Sequence, residues 1–442
     1  MIRKTLLFLF FFGASLLAQT NIELISNLDE YHSSGYNDIW GYVDPMGNEY
    51  ALLGVGSGTS IVDLSDPANP VEVAFIPGPQ SVVRDIKVHE QYAYTITEQT
   101  GTGQGLQIIN LSDLPNSATL VNTIDTWFTR AHNIFIENGY AYVIGTEGGG
   151  GMHILDLSNS VNPTETAYYT ASGYIHDVYV WDDTVIVCDG SSGEYHLVDV
   201  SDKTNPQLIS VSSSIPCYAH SGWMTEDKRY FIGTEEGNQV DITVWDLQDR
   251  TSWDLVVPSW EINSGAIVHN LFIMGNYAHV SYYIDGYVVL DISDPTNPIL
   301  AGQYDTYPGT DGPFKGAWGV YPYLPSGFTI VSDIETGLYV LKFDIPTTVV
   351  DEELPISFSL KQNYPNPFNP STNISFSIQV PGLVTLRVYG ILGEEVAELL
   401  NEFKEAGNYE INFSAANLPT GIYIAKLSTG NNFQTIKMSL LK

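Results

Sequence analysis

Cations are scarce in this sequence. Its 442 residues carry 17 Lys and Arg against 51 Asp and Glu, a formal net charge of −34. Phosphate recognition needs a basic footprint, so no nucleic acid is expected as a partner. Cysteine is nearly absent. Cys188 and Cys217 cannot staple a small disulfide framework, and the two stand equally as one bond or as packed thiols. Charged residues make up only 15% of the chain, without the long Ala, Glu, Lys, Leu and Arg runs of a helical bundle. Past the N-terminus, no segment is apolar for long enough to cross a bilayer. What is present is 44% apolar and 12% aromatic residue, 28 Tyr, 39 Gly and 23 Pro. That composition builds many short strands between turns and supplies apolar cores for two to four domains.

The first twenty residues read MIRKTLLFLFFFGASLLAQT. Arg3 and Lys4 precede an apolar run from Leu6 to Leu17, and Ala18 offers a small residue for cleavage. Residues 1–18 are therefore read as a secretory signal peptide, with passage through the inner membrane implied.

A repeat fills the middle of the chain. Asn37, Arg84, His132, His176, His220, His269 and Trp318 each open a strand-like stretch, 44–49 residues apart. That period matches one four-stranded propeller blade. The third strand of each repeat recurs most clearly, as in Ile61–Pro67, Leu197–Asp202 and Val289–Pro295. Its Asp and Ser residues, and the Asn-Pro pairs ending at Pro70, Pro163, Pro206 and Pro298, read as turn architecture. The seventh repeat lacks a fourth strand, while Ile22–Leu28 stands unpaired before the first. The expected fold is thus all-β: a seven-bladed β-propeller over residues 19–345, its ring closed by the N-terminal strand. An acidic, Pro-containing linker spans 346–356, and short alternating strands over 357–442 suggest a small β-sandwich.

The middle, residues 38–344, resembles the LVIVD-repeat propellers, in particular the secreted choice-of-anchor B family. The resemblance lies in His132-Asn133, His176–Val180, Asp291–Pro298 and Trp318–Tyr321. That family brings no established activity with it. Residues Phe358–Lys442 resemble the C-terminal sorting domain of the bacterial type IX secretion system. Here the matching segments are Tyr364–Pro370, Val388–Val396 and Leu418–Tyr423. The resemblance implies that the type IX machinery is a partner, and that the protein ends at the cell surface or is released.

In a propeller the first strand of each blade lines the central channel, so the seven repeat-start residues form a ring at its top. Four consecutive members, His132, His176, His220 and His269, are histidines. Carboxylates at the ends of second strands, Glu147, Asp189 and Glu235 among them, lie on the same face. Imidazoles backed by carboxylates are what a divalent metal ion asks for. Tandem duplication of a structural residue explains the same pattern. Arg84, Trp127, Tyr174, Tyr282, Tyr283 and Trp318 are candidate contacts for an extracellular protein or carbohydrate at that face. A binding protein is the preferred reading, and a metal-dependent enzyme is the alternative. No nucleophile-elbow or phosphate-loop motif supports a specific catalysis.

Overall fold

The computed structural model describes residues 21–99, 104–170, 173–237, 240–262, 265–307, 309, 312–345, 358–378, 382–404, 407–429 and 432–442. The expected signal peptide, residues 1–18, and the expected linker, 346–356, lie outside them. The chain divides into two compact units, one ending at Ile345 and the other beginning at Pro346.

The first unit is all β, and its described residues form seven four-stranded antiparallel sheets. Six take their four strands in chain order. The seventh takes Ala317–Tyr321, Phe328–Asp333 and Gly337–Phe343 from the end of the unit and Ile22–Leu28 from its start. The pairing runs from Ile22 opposite Phe343 to Leu28 opposite Leu338. The first strands are Tyr36–Val43, Arg84–His89, Asn133–Glu137, Ile175–Trp181, Ala219–Met224, Leu271–Met274 and Ala317–Tyr321. Each packs against the next, and the last packs against the first. This is a β-propeller arrangement: every sheet is a blade whose faces are buried by its two neighbours. The buried clusters accordingly combine residues of adjacent sheets, such as Val143 and Leu155 with Ile96 and Ile108.

The third-strand aspartates hold turns. Asp63, Asp156, Asp199 and Asp291 each accept a backbone N–H two residues on, from Ser65, Ser158, Ser201 and Ser293, at 2.7–2.8 Å. Each carboxylate satisfies the donor that the turn would otherwise leave open. Cys188 and Cys217 are thiols and not a disulfide, and the Cys217 thiol donates to the Val240 carbonyl.

One buried imidazole has a pH consequence. His279 lies in the core, its Nδ1 2.6 Å from the Tyr287 hydroxyl. Burial pushes its pKa down to about 3. The unfolded chain takes up a proton here below about pH 6.5 and the folded chain does not. The stabilising contribution is therefore complete above pH 6.5 and is lost as pH falls toward 3. His279→Phe removes this dependence. Relative to wild type, the variant should gain about 1.4 kcal/mol for each pH unit below about 6. Urea unfolding of both proteins at pH 7.5 and 4.5 measures the difference, and an unchanged gap contradicts the assignment.

The second unit contains a three-stranded sheet of Ser359–Leu360, Ser371–Ile378 and Gly407–Ser414. A four-stranded sheet of Glu395–Lys404, Gly382–Gly390, Gly421–Thr429 and Asn432–Leu440 accompanies it. Ile374 and Phe376 of the first share one core with Leu386, Val388, Leu427 and Met438 of the second.

Candidate site at the mouth of the channel

Successive residues of a strand point to opposite sides, so positions one and three after each repeat start share the channel side, and a bulge at His176, His220 and Trp318 brings the repeat-start residue to the channel as well. Three levels result. The repeat-start residues form the uppermost. One position further along come Asp38, Asp85, Asn133, Asp177, Ser221 and Asn270, held near the backbone. Asp85 shows why they are polar: its Oδ2 accepts the Ile134 N–H of the next blade at 2.7 Å, and its Oδ1 accepts its own neighbour Ile86. The third level holds Trp40, Lys87, Phe135, Tyr179, Trp223, Phe272 and Tyr321. Trp223 touches Phe135, Tyr179 and Phe272 across the axis, at centroid distances of 5.8, 4.6 and 4.8 Å. Trp40 meets Tyr321 and Phe272 at 4.8 and 6.0 Å. These rings fill the channel at that level. Lys87, the one cation among them, lies 4.6 Å over the Trp40 ring. It bonds Asp38 at 3.3 Å and Asp85 at 2.5 Å. A cavity of about 30 Å³ between the polar and aromatic levels has room for a water molecule or two.

The four histidines stand side by side in blade order at the upper level. Ring centroids are 4.0 Å apart from His132 to His176, 4.3 Å from His176 to His220 and 4.4 Å from His220 to His269. Each is tied differently. His132 Nδ1 faces Glu98 at 2.7 Å, and that bond holds the Glu98 carboxyl below its usual range. His176 Nδ1 donates to the His220 carbonyl at 3.1 Å, and His269 Nδ1 to the Trp318 carbonyl at 2.6 Å. Among the described residues His220 Nδ1 makes no close hydrogen bond, with the His269 backbone beside its ring, and its Nε2 lies 3.9 Å from Glu236 Oε2. Burial pushes His176 and His220 well below the ordinary imidazole range and His269 down to about 3. The buried imidazoles are therefore neutral at neutral pH.

Three of the expected ligand contacts surround this arc. Tyr174 lies 6.1 Å from His132, Tyr283 lies 5.0 Å from His269, and Trp318 lies 4.5 Å from His269. Three others are engaged elsewhere. The buried Arg84 guanidinium turns aside to the Pro79 and Val55 carbonyls, at 2.6 and 3.3 Å, and among the described residues no carboxylate pairs with it. The Tyr282 hydroxyl donates to Asp241 inside the protein. Trp127 packs against the core between two blades. A planar guanidinium can satisfy its donors on backbone carbonyls, and a buried Tyr needs a local acceptor; both needs are met away from the mouth.

The carboxylate expectation requires a correction. Glu147 accepts Thr129 N, Thr129 Oγ1 and Arg130 N, bracing the loop before His132. Asp189 accepts Gly173 N, and an imidazole near it, His196 at 3.7 Å, is off the arc. Glu235 is fully buried, accepts the Tyr195 and Thr243 hydroxyls at 2.7 Å, and is pushed up to about 8 by burial. The carboxylates that do face imidazoles of the arc are Glu98 and Glu236. Strand register explains the difference. Asp85 pairs with Ile96, Asn133 with Ile144, Asp177 with Cys188 and Ser221 with Thr234. Counted from those partners, Glu98 and Glu236 stand two residues on, Asp189 and Glu235 one, and Glu147 three. A shift of one residue reverses the facing of a strand side chain. Glu236 was missed in the sequence for this reason; Tyr218, whose ring meets His176 at 5.1 Å, stands two residues before His220 as Tyr174 does before His176, and that repeat position would have found it. Aligning the repeats on the hairpin register would have found Glu236.

The first unit is thus a propeller with a polar, histidine-lined upper level, and the second is a small two-sheet unit. Comparison with known families identifies what they are made of. The LVIVD repeat model matches residues 47–75, 130–171 and 265–306. The model of the secretion system C-terminal sorting domain matches residues 362–441. The chain therefore carries LVIVD repeats and a type IX sorting domain, which implies contact with the type IX machinery and export to the cell surface or beyond. Among the described residues no helix is long and apolar enough to cross a membrane. No curated protein matches the chain. Among solved structures, the periplasmic gluconolactonase PpgL of Pseudomonas aeruginosa aligns with a TM-score of 0.52 at 10% identity. The alignment covers 86% of this chain and 99% of that one. A protein from Lactobacillus plantarum aligns with a TM-score of 0.51 at 12% identity, over 81% of this chain and 96% of the other. At such identities the likeness concerns the fold alone.

Proposed function

We propose that this is an exported seven-bladed β-propeller of the choice-of-anchor B type that binds an extracellular ligand at the histidine end of its channel. In this reading residues 1–18 direct passage through the inner membrane and 19–345 are the propeller. A linker at 346–356 leads to a β-sandwich at 357–442, which addresses the chain to the type IX machinery. The observation that supports binding at one end is the stacking of levels along the channel. Aromatic rings fill the lower level around Trp223, while the upper level is polar and rimmed by Tyr174, Tyr218, Tyr283 and Trp318. Rigid aromatic groups beside hydrogen-bonding groups suit protein or carbohydrate contacts.

A defined panel of soluble glycans and peptides, screened against the purified propeller, tests this. Trp318→Ala or Tyr283→Ala should weaken any hit at least about tenfold, as loss of a central aromatic contact does. Asp202→Ala, in a turn at the opposite end of a blade, should leave it unchanged. The reverse pattern contradicts the reading. Export is tested separately. Removing residues 357–442 should leave a folded propeller that fails to reach the cell surface, because the two units have separate cores. Normal surface delivery of the truncated chain would refute the sorting role.

A further inference from the structure

We propose that His176, His220 and Glu236 form a binding site for one divalent transition-metal ion. The proposal deepens the reading above, since it names a ligand for the same end of the channel, and it has its own geometry. One donor atom from each of the three residues can be chosen so that all lie within 4.8 Å of one another. They come from two adjacent blades, so the fold rather than local sequence assembles them.

Proton placement favours coordination. A backbone carbonyl only accepts hydrogen bonds, so His176 Nδ1, facing the His220 carbonyl, carries the proton. The lone pair is then on Nε2. Metal-bound imidazoles show the same arrangement, with the outer nitrogen donating to a carbonyl or carboxylate. At His220 the neighbouring backbone group is that of His269; a carbonyl there takes the proton-bearing nitrogen and leaves the other lone pair for an ion. Glu236 is half tied: its Oε1 accepts the Tyr283 hydroxyl at 2.7 Å. Its Oε2 lies 3.9 Å from His220 Nε2, too far for a hydrogen bond. Two donors bridged by a tetrahedral ion at bonds of about 2.0–2.2 Å lie roughly 3.3–3.6 Å apart, so this pair needs to close by only about 0.3–0.6 Å. The wider members of the set need to close by about 1 Å.

Two imidazoles and one carboxylate are the donor set of zinc and its neighbours, and are poor in oxygen for calcium or magnesium. Three protein donors leave a fourth position for water or for an oxygen atom of a bound molecule. His132 and His269 flank the set and are tied to Glu98 and the Trp318 carbonyl. Their outer bonds are like that of His176, but their donor atoms fall outside the group that lies within 4.8 Å, so they flank the ion without adding to the set.

The test uses the exported full chain, stripped with a chelator and titrated with zinc and with cobalt(II). Calorimetry should give one ion per chain, and cobalt should give the visible absorption of a low-coordinate site. His176→Ala, His220→Ala and Glu236→Gln should each weaken binding about 10- to 100-fold or more. His32→Ala, on an exposed side chain, should not. Glu236→Gln keeps shape and volume, so it tests the site even if a histidine variant fails to fold. Absence of one-to-one binding in the wild type overturns the proposal. So does binding that is insensitive to Glu236→Gln and to either histidine variant. A metal-free protein that still binds a glycan or peptide through Trp318 loses this inference and keeps the reading above. A protein that takes up the ion yet yields a ligand insensitive to Trp318→Ala and Tyr283→Ala does the opposite.

Discussion

A chain that starts at Asp29, lacking the Ile22–Leu28 strand, is expected to lose about 4 kcal/mol of stability. The strand pairs along its length with Gly337–Phe343. It buries Ile22 against Leu341 and Ala301, and packs Ile25 and Leu28 onto Leu338 and Val340. Covering three such side chains at about 25 cal/mol per Å², two of them only partly, gives roughly that figure. At about 2–4 °C per kcal/mol, the melting temperature should fall by roughly 8 °C or more. A second effect follows from topology. Gly337–Phe343 becomes an open edge, and open edges pair with other chains. The truncated protein should therefore dimerise or aggregate on heating, as light scattering would show. An unchanged melting temperature would mean that the strand contributes nothing to the ring.

Lys87→Met should be as costly, by about 3–5 kcal/mol at pH 7, because it leaves buried carboxylates without their cation. Lys87 is buried between Asp38 and Asp85. Its ammonium helps hold Asp85 below the usual carboxylate range, while burial raises Asp38. Without the ammonium both carboxyls should titrate above their unfolded values. The penalty then grows as pH rises past about 4 and shrinks in acid, where both groups are protonated. Adding Asp38→Asn to Lys87→Met should restore part of the loss, since it removes one buried charge, whereas Asp85 must stay because both its oxygens accept backbone N–H groups. Chemical denaturation at pH 7 and pH 4.5 checks both the size and the sign. A penalty independent of pH would point to packing against Trp40 as the main contribution of Lys87.

Much of this architecture is legible without coordinates because duplication writes it many times. One strand pattern is ambiguous, but the repeated third strand and its Asp-Ser turn fix a period, and the period fits a blade. The same redundancy exposed the histidines, which occupy one slot in four successive repeats. The motifs around Asn133, Asp177 and Asp291, and the Tyr364–Pro370 segment, were sufficient to recognise LVIVD repeats and the sorting domain. The aromatic level was present in the same alignment, three residues after each repeat start, yet it carries no single residue type. Trp, Phe and Tyr alternate there, so it is visible only once the channel gives those positions a common neighbour.

What the sequence determined by itself is chiefly periodic: strand order, blade length, the turn residues and the histidine slot, with the sorting domain at the C-terminal end read from its motifs. Each of these rests on local chemistry or on repetition, which the one-dimensional chain preserves. Only the tertiary structure decided which carboxylates meet the imidazoles. Hairpin register and a bulge at the start of several first strands, as between Ala219 and Ser221, set that choice. One residue of register sends Glu235 into the core and Glu236 toward His220. It likewise took the packed ring to turn Arg84 away from the mouth and to seat Lys87 between Asp38 and Asp85. Lys87 and Asp38 lie 49 residues apart in sequence and Arg84 and Val55 lie 29 apart, and contact between them exists only when neighbouring blades pack together.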